Sequence, residues 1–285
     1  MPDSLKSRLS LRAKARLRAL FGVEPWPDLA VRHPLFRTEQ YRRLRDGARA
    51  FDEPKANKPV LERGHQTSFV VARWFATAGV TSAFHVGYAN GRYLFYLSQV
   101  GIRCGGTDLP EGDTTWVRIP ERGLDEGTRR RLWRVDFFHL TPQELHALCE
   151  EAAEPLVGVL FSEATFETLL PWRAGGASVP SYLALGPRVL HSLMHERFPE
   201  KLRELKDYVR NMIFIEPEPA AGGAGDVFAD CAKRLPGFQA SVWGFRPPFD
   251  RLFRLSPYSL TKQTVYAFTR DARLLDALRD YADPL

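Results

Sequence analysis

The chain has 285 residues, of which 44% are apolar and 26% are charged, and these proportions exclude a disordered, collagen-like or repeat-array protein. No run approaches the roughly 18 apolar residues of a membrane-spanning helix, and the basic N-terminus lacks the apolar core of a secretory signal. Three scattered cysteines (Cys104, Cys149 and Cys231) provide neither a disulfide framework nor a metal-binding Cys-x-x-Cys pair. We therefore expect a soluble, cytoplasmic protein with reduced thiols.

The positive charge is concentrated at the N-terminal end of the chain. Residues 1–50 hold twelve Lys and Arg against five Asp and Glu, whereas the whole chain has a net charge of only +6. Within residues 5–21, apolar residues recur at helical spacing among basic ones, which predicts an amphipathic helix. Two interpretations remain open: peripheral contact with an acidic membrane surface or nucleic acid, or packing of the apolar stripe on the protein itself, which we prefer. Residues 1–60 are predicted to form a basic helical arm or cap.

Residues 61–285 form the predicted main domain, in which short apolar runs alternate with helical patterns as in a parallel α/β sheet. The predicted helices are 67–78, 92–100, one opened by the capping box Thr141-Pro142-Gln143-Glu144, and 188–209. The predicted strands are 82–86, 102–107, 132–137, 156–161, 212–215, and an antiparallel pair at 252–255 and 264–269. The expected fold class is a doubly wound, Rossmann-like, mostly parallel seven-stranded sheet with a terminal antiparallel hairpin, plus the N-terminal helical cap.

A turn rich in small residues separates the first predicted strand from the helix after it. Gly87, Ala89 and Gly91 alternate with other residues there, and Asp108 ends the next predicted strand, seventeen residues after Gly91. Small residues let the backbone approach a ligand closely, and the N-terminus of the helix then faces that ligand. An acid at the second strand end is placed to accept hydrogen bonds from ribose hydroxyls. The pattern therefore predicts a cofactor that contains a nucleoside.

The spacing distinguishes between cofactors. In the dinucleotide fingerprint the third glycine falls five positions after the first, whereas here Gly91 falls four positions after Gly87. This turn, with Asp108 and the terminal hairpin, resembles class I S-adenosylmethionine-dependent methyltransferases over roughly residues 80–270. Two positions depart from the motif of that family: His85 stands where an acid is usual, and Ala89 replaces the middle glycine. A neutral imidazole accepts a hydrogen bond from the ammonium group of the cofactor, but a protonated one repels it.

The resemblance implies that S-adenosyl-L-methionine is the cofactor and assigns binding roles to ten positions: His85, Gly87, Ala89, Gly91, Asp108, Leu109, Asp136, Phe137, Phe161 and Ser162. The turn would lie beneath the methionine and ribose. Asp108 would bind the ribose hydroxyls, with Leu109 against the adenine. Asp136 and Phe137 would meet the edge and face of the adenine, and Phe161 and Ser162 would border the sulfonium and the acceptor.

The acceptor of the methyl group is constrained mainly by absent motifs. The sequence after the fourth predicted strand lacks the Asn/Asp-Pro-Pro-aromatic motif of enzymes that methylate nucleic-acid amino groups. The whole sequence also lacks the Asp-Asn pair of metal-dependent catechol-type enzymes, and none of its cysteines follows a proline, as the nucleophile of cytosine C5 methyltransferases does. These absences favour a small-molecule acceptor, no sequence-specific nucleic acid, and no metal.

Methyl transfer to a hydroxyl often uses a base for the proton of the acceptor, although alignment and exclusion of water without a base are an open alternative. The candidates are Glu163, Glu167, His65, His191 and His195. Glu163 is favoured because it lies at the carboxyl edge of the sheet, whereas each histidine is more readily explained as structural. A Pro- and Gly-rich segment near 171–187 is a candidate substrate lid, and the aromatic stretch from Trp243 to Phe253 is a candidate wall of the acceptor pocket.

The sequence thus predicts O-methylation of a small molecule, such as a saccharide or a natural product. The alternative is a catalytically degenerate protein of the same fold that uses its basic arm to hold an acidic partner or a membrane. The sequence makes no prediction about the oligomeric state.

Overall fold

A computed structural model describes residues 34–52, 58–108, 123–150, 154–163, 193–217, 224–245, 263–279 and 282–284. The amphipathic stretch 5–21, the lid 171–187 and the strand predicted at 252–255 lie outside these residues. Among the described residues, no helix combines the length and apolar character needed to cross a bilayer.

One eight-stranded sheet organises the described residues, with the strand order β3-β2-β1-β4-β5-β7-β6-β8. The strands are β1 Ser82–Val86, β2 Arg103–Thr107, β3 Leu132–Trp133, β4 Val157–Glu163, β5 Val209–Pro217, β6 Gln239–Phe245, β7 Gln263–Thr269 and β8 Ala282–Pro284. Strands β1 to β5 are parallel, whereas β7 is antiparallel to both β5 and β6. The predicted fold class is therefore confirmed, and β8 adds a short eighth strand on the edge.

Helices cover both faces of the sheet, as expected for buried parallel strands. In chain order they are α1 Pro34–Arg37, α2 Glu39–Gly47, α3 Lys58–Thr77, α4 Arg92–Gln99, α5 Glu126–Arg130, α6 Pro142–Glu150, α7 Phe198–Leu205, α8 Ala224–Arg234 and α9 Ala272–Leu278. One hydrophobic cluster joins the first face to α3, α4 and α9. A second cluster joins the opposite face to α6, α7 and α8. The chain is thus doubly wound around one sheet.

The segment 34–51 packs into the first of these clusters. Phe36, Leu44 and Phe51 are each at most 4% exposed, and Arg45 of α2 forms ion pairs with Glu62 of α3 and with Asp52, at 2.6 and 3.2 Å. The carbonyl of Phe51 accepts a hydrogen bond from Asn90 in the turn after β1. This segment therefore supports that turn directly.

Several predicted elements differ from the structure in their bounds. The third strand was predicted at 132–137 but ends at Trp133, because Asp136 caps a short 3-10 turn over Phe137–His139. The helix predicted over 188–209 ends at Leu205, and β5 begins at Val209. On the side away from β5, β7 pairs with β6, a strand that was not predicted from the sequence.

Candidate active site

Three residues of the turn after β1 have backbone φ angles in the left-handed region. The φ angles of Gly87, Ala89 and Gly91 are +74°, +46° and +78°. Gly91 is the N-cap of α4, so the turn leads straight into that helix. Glycine adopts such angles freely, but for Ala89 they cost roughly 1–2 kcal/mol. This strain is retained at the position where the sequence predicts that a ligand meets the backbone.

Asp108 lies beside this turn. The backbone N–H of Ala89 donates a hydrogen bond to its Oδ2 at 2.9 Å, and the N–H of Asp108 donates to the carbonyl of Trp133 at 3.1 Å. The partly exposed carboxylate is therefore fixed between the turn and β3. The predicted ribose-binding acid and the predicted turn of small residues are therefore in direct contact.

His85, the residue in place of the usual acid, lies near the carboxyl end of β1, two residues before Gly87. It is 3% exposed, its ring stacks on Phe161 of β4 with centroids 4.3 Å apart, and Tyr93 meets it edge-on at 5.3 Å. Burial, and next the positive charge of Arg92, lower the pKa of His85 to about 3. The imidazole is therefore neutral near pH 7, so it does not repel an ammonium group. Its buried Nδ1 has no hydrogen-bond partner among the residues that the structure describes, and a ligand that donated a hydrogen bond to it would remove this cost.

Glu163 stands at the carboxyl end of β4, two residues after Phe161 and on the same side of the strand. Burial, and next the negative charge of Glu163, raise the pKa of Tyr93 well above its usual value. The carboxylate therefore lies close to the phenol that packs on His85. Glu163 is half-buried, which suits a side chain that meets an acceptor.

Ser162, Asp136 and Phe137 lie toward the other face. Ser162 is fully buried and its hydroxyl has no hydrogen-bond partner. Asp136 accepts a hydrogen bond from the N–H of Phe138 at 3.0 Å. Phe137 is 2% exposed and packs against Phe198 in the core, with centroids 5.7 Å apart. The structure thus gives Phe137 a packing role, and its contact with adenine stays a prediction.

His65 is placed differently from the candidate base that the sequence suggested. It is fully buried in α3, its Nε2 lies 2.8 Å from Asp52 Oδ1, and its Nδ1 lies 3.1 Å from the hydroxyl of Tyr96. Both ring nitrogens are therefore engaged within the protein. This geometry argues against His65 as a catalytic base and gives it a structural role.

Of the remaining predicted residues, the structure describes only His195, and it lies away from the turn after β1. His195 is partly buried, and its Nδ1 lies 3.6 Å from Asp230 of α8, which belongs to the opposite helical layer. Leu109, Glu167 and His191 lie outside the described residues. Arg92 and Tyr93 were not among the predicted site residues, although they are the first two residues after Gly91, the last small residue of the turn.

A groove of about 550 Å³ opens elsewhere, lined by Phe138 and by charged residues of α7 and the segment before it. Four of its six charged residues form ion pairs with one another: Lys201 with Glu204 at 3.0 Å, and Arg203 with Glu200 at 2.6 Å. Because these charges are already neutralised, the groove is a weaker candidate for a ligand site than the turn after β1.

Solved structures of other proteins are similar to this chain at low sequence identity. The chain is similar to the magnesium protoporphyrin IX methyltransferase of Synechocystis PCC 6803 with bound S-adenosylmethionine, at 15% identity and a TM-score of 0.46 over 85% of this chain and 97% of that one. It is similar to the N-methyltransferase NodS of Bradyrhizobium japonicum WM9 in complex with S-adenosylhomocysteine, at 11% identity and a TM-score of 0.44 over 81% and 98% of the two chains. No protein-family model matches the sequence, and no curated protein matches it.

The topology itself defines the class of fold. Five parallel strands followed by an antiparallel hairpin, with a small-residue turn after the central β1 and an acid after β2, are the features on which the resemblance to class I methyltransferases depends. That resemblance is confirmed at the level of the fold.

Proposed function

We propose that this chain binds S-adenosyl-L-methionine and transfers its methyl group to a small-molecule acceptor. The observation that carries the proposal is the contact of Asp108 with the turn, through the 2.9 Å hydrogen bond from the N–H of Ala89. This contact joins the predicted ribose-binding acid to the backbone predicted to lie beneath the methionine.

The residues present fit that cofactor. Asp108 offers carboxylate oxygens to the ribose hydroxyls. His85, neutral and with its buried Nδ1 unpartnered, offers an acceptor to the ammonium group. A hydrogen bond to the neutral imidazole would thus replace part of the attraction that a negatively charged acid exerts on the ammonium group.

When bound, the cofactor supplies an electrophilic methyl group on a sulfonium. The chain must align an acceptor with it and exclude water. The wall of His85, Tyr93 and Phe161 provides a dry aromatic surface. Glu163, at the carboxyl end of β4, is the base that we propose accepts the proton of an acceptor hydroxyl.

The acceptor class is the finer part of the proposal. A carboxylate base beside an aromatic wall suits O-methylation of a hydroxylated small molecule, such as a saccharide or a natural product. Among the described residues, no three His, Cys, Asp or Glu side chains gather in a way that could hold a metal ion. Proton removal by Glu163 is a route for such a reaction that uses a residue of the chain itself.

Asp108→Ala tests the proposed site. The variant loses the ribose acceptor and the bond to Ala89, and we expect its affinity for S-adenosylhomocysteine in calorimetry to fall about 100-fold, since hydrogen bonds to charged groups contribute strongly. Asp108→Asn is the matched control: it keeps one carbonyl oxygen and should retain more affinity than Asp108→Ala. Equal affinity of Asp108→Ala and the parent protein would contradict the proposal. Absence of binding by the parent protein would favour the degenerate, scaffold-like alternative.

A further inference from the structure

Arg92 occupies a space that the neighbouring helix leaves for it. Its guanidinium lies over Gly64 in the interior of α3, where a Cβ on that glycine would come within 2.4 Å of Arg92 Cζ. A glycine in a helix interior destabilises it by about 0.5–1 kcal/mol relative to alanine, so its presence here suits a close contact. The Nε of Arg92 donates a hydrogen bond to Ser68 Oγ at 3.3 Å, and Ser68 in turn donates to the carbonyl of Gly64 at 2.8 Å.

The charge of Arg92 is not neutralised within the part of the chain that the structure describes. Its hydrogen bonds there are to Ser68, through Nε, and to the Asn90 side chain, through its backbone N–H. Arg45, by contrast, forms ion pairs with both Glu62 and Asp52. A half-buried guanidinium without a carboxylate partner is poorly solvated and gains from an anionic ligand.

The position of Arg92 also ties it to the candidate site. It directly follows Gly91 and is the first residue of α4, whose N-terminus favours negative charge. Its charge contributes to the lowered pKa of His85 and acts on the neighbouring Tyr93. The guanidinium is therefore close to the wall that stands at the inner end of the turn.

We propose that Arg92 binds the carboxylate of the methionine end of the cofactor. This inference rests on the proposed function. A planar guanidinium matches a carboxylate in charge and in hydrogen-bond geometry. In the related methyltransferases an acid stands at the position of His85 and binds the ammonium group of the methionine part of the cofactor. Here that position is a neutral histidine, and Arg92 lies nearby. The protein would therefore recognise the methionine part more through its carboxylate and less through its ammonium group.

Two ligands separate this role from general effects on the site. S-adenosylhomocysteine has the amino-acid end, whereas methylthioadenosine has the same nucleoside and sulfur without it. By calorimetry on the full chain, we expect Arg92→Gln to lower the affinity for S-adenosylhomocysteine about 10- to 100-fold. It should change the affinity for methylthioadenosine by less than about threefold, because that ligand has no carboxylate.

Two further variants keep the test decisive. Arg92→Lys preserves the charge and should recover part of the lost affinity. Gly64→Ala leaves Arg92 in the sequence but displaces its guanidinium. This variant should therefore lower the affinity for S-adenosylhomocysteine more than the affinity for methylthioadenosine, and it provides the test if Arg92→Gln folds poorly.

The outcomes are distinguishable. If Arg92→Gln lowers the affinity for both ligands equally, or lowers neither affinity, the proposed role of Arg92 is overturned while the proposed function stands. If the parent protein binds neither ligand, the proposed function fails, and this inference fails with it.

Discussion

His65 and His85 lie in two neighbouring regions on the same side of the sheet, and they differ in one respect. Both are at most 3% exposed, and burial lowers the pKa of each to about 3. His65, however, has Asp52 and Tyr96 on its two ring nitrogens, whereas the Nδ1 of His85 has no partner. Burial and pKa alone therefore do not separate a structural histidine from one at a ligand site, but the hydrogen-bond partners do.

The same contrast extends to the arginines of the two regions. Arg45, between α2 and α3, is neutralised by Glu62 and Asp52, so the charge of this arginine is balanced within the protein. Among the described residues, the guanidinium of Arg92, at the start of α4, bonds to a serine and to no carboxylate. The turn after β1 thus concentrates strain, an orphaned imidazole nitrogen and an unneutralised charge, which is the pattern expected where a ligand completes the structure.

The largest effect on stability is expected at the satisfied histidine. His65→Leu leaves the buried Tyr96 hydroxyl and the Asp52 carboxylate each short of one partner, and such losses cost about 1–3 kcal/mol each. We expect chemical denaturation to show a free energy of unfolding lower by about 2–4 kcal/mol, with affinity for S-adenosylhomocysteine changed less than twofold. A stable variant with lost affinity would reverse the roles assigned to the two histidines.

Lowering the pH tests the other histidine. Because the pKa of His85 is lowered from 6.5 to about 3, the unfolded chain binds more protons than the folded one between these values. The contribution of the neutral histidine to the free energy of unfolding is therefore fully present above pH 6.5. Below that pH it falls by about 1.4 kcal/mol per pH unit for each such histidine.

His85→Leu removes one of these two contributions. Between pH 7 and pH 5 this variant should lose about 2 kcal/mol less stability than the parent protein, measured by urea unfolding at each pH. Identical pH slopes for the two proteins would show that His85 is not buried as a neutral imidazole.

The smallest effect is expected at the strained alanine. Ala89→Gly relieves a φ angle of +46°, but the gain is partly offset by the greater freedom of glycine in the unfolded chain. We expect a stabilisation of at most about 1 kcal/mol in thermal unfolding, with ligand affinity retained. A clear loss of stability would mean that the methyl group of Ala89 makes packing contacts that outweigh its backbone strain.

The sequence predicts the parts of the fold whose patterns are local. The strand Ser82–Val86 and the start of helix α4 at Arg92 were predicted with the observed bounds, because a short, mainly apolar run marks the strand and the glycine-containing turn marks the start of the helix. Strand β6 was missed because it alternates polar and apolar residues, and Val242 is 45% exposed. Such a strand is defined by its pairing with β7 rather than by its own sequence.

The site could be predicted only in part, for a similar reason. The spacing of Gly87, Ala89, Gly91 and Asp108 is visible in the sequence, and the contact between Ala89 and Asp108 agrees with it. The roles of His65 and Arg92 depend on partners 13 to 31 residues distant in the chain, such as Asp52, Ser68 and Tyr96. No local pattern indicates whether a buried polar group finds such a partner.

The central claim is that the turn after β1, with Asp108 and His85, binds a nucleoside sulfonium cofactor. Its most direct test is calorimetric titration of the purified protein with S-adenosylmethionine and with S-adenosylhomocysteine. The account predicts saturable one-to-one binding of both ligands, with micromolar dissociation constants. Absence of heat and of any ligand-induced rise in melting temperature, for both ligands, would contradict it.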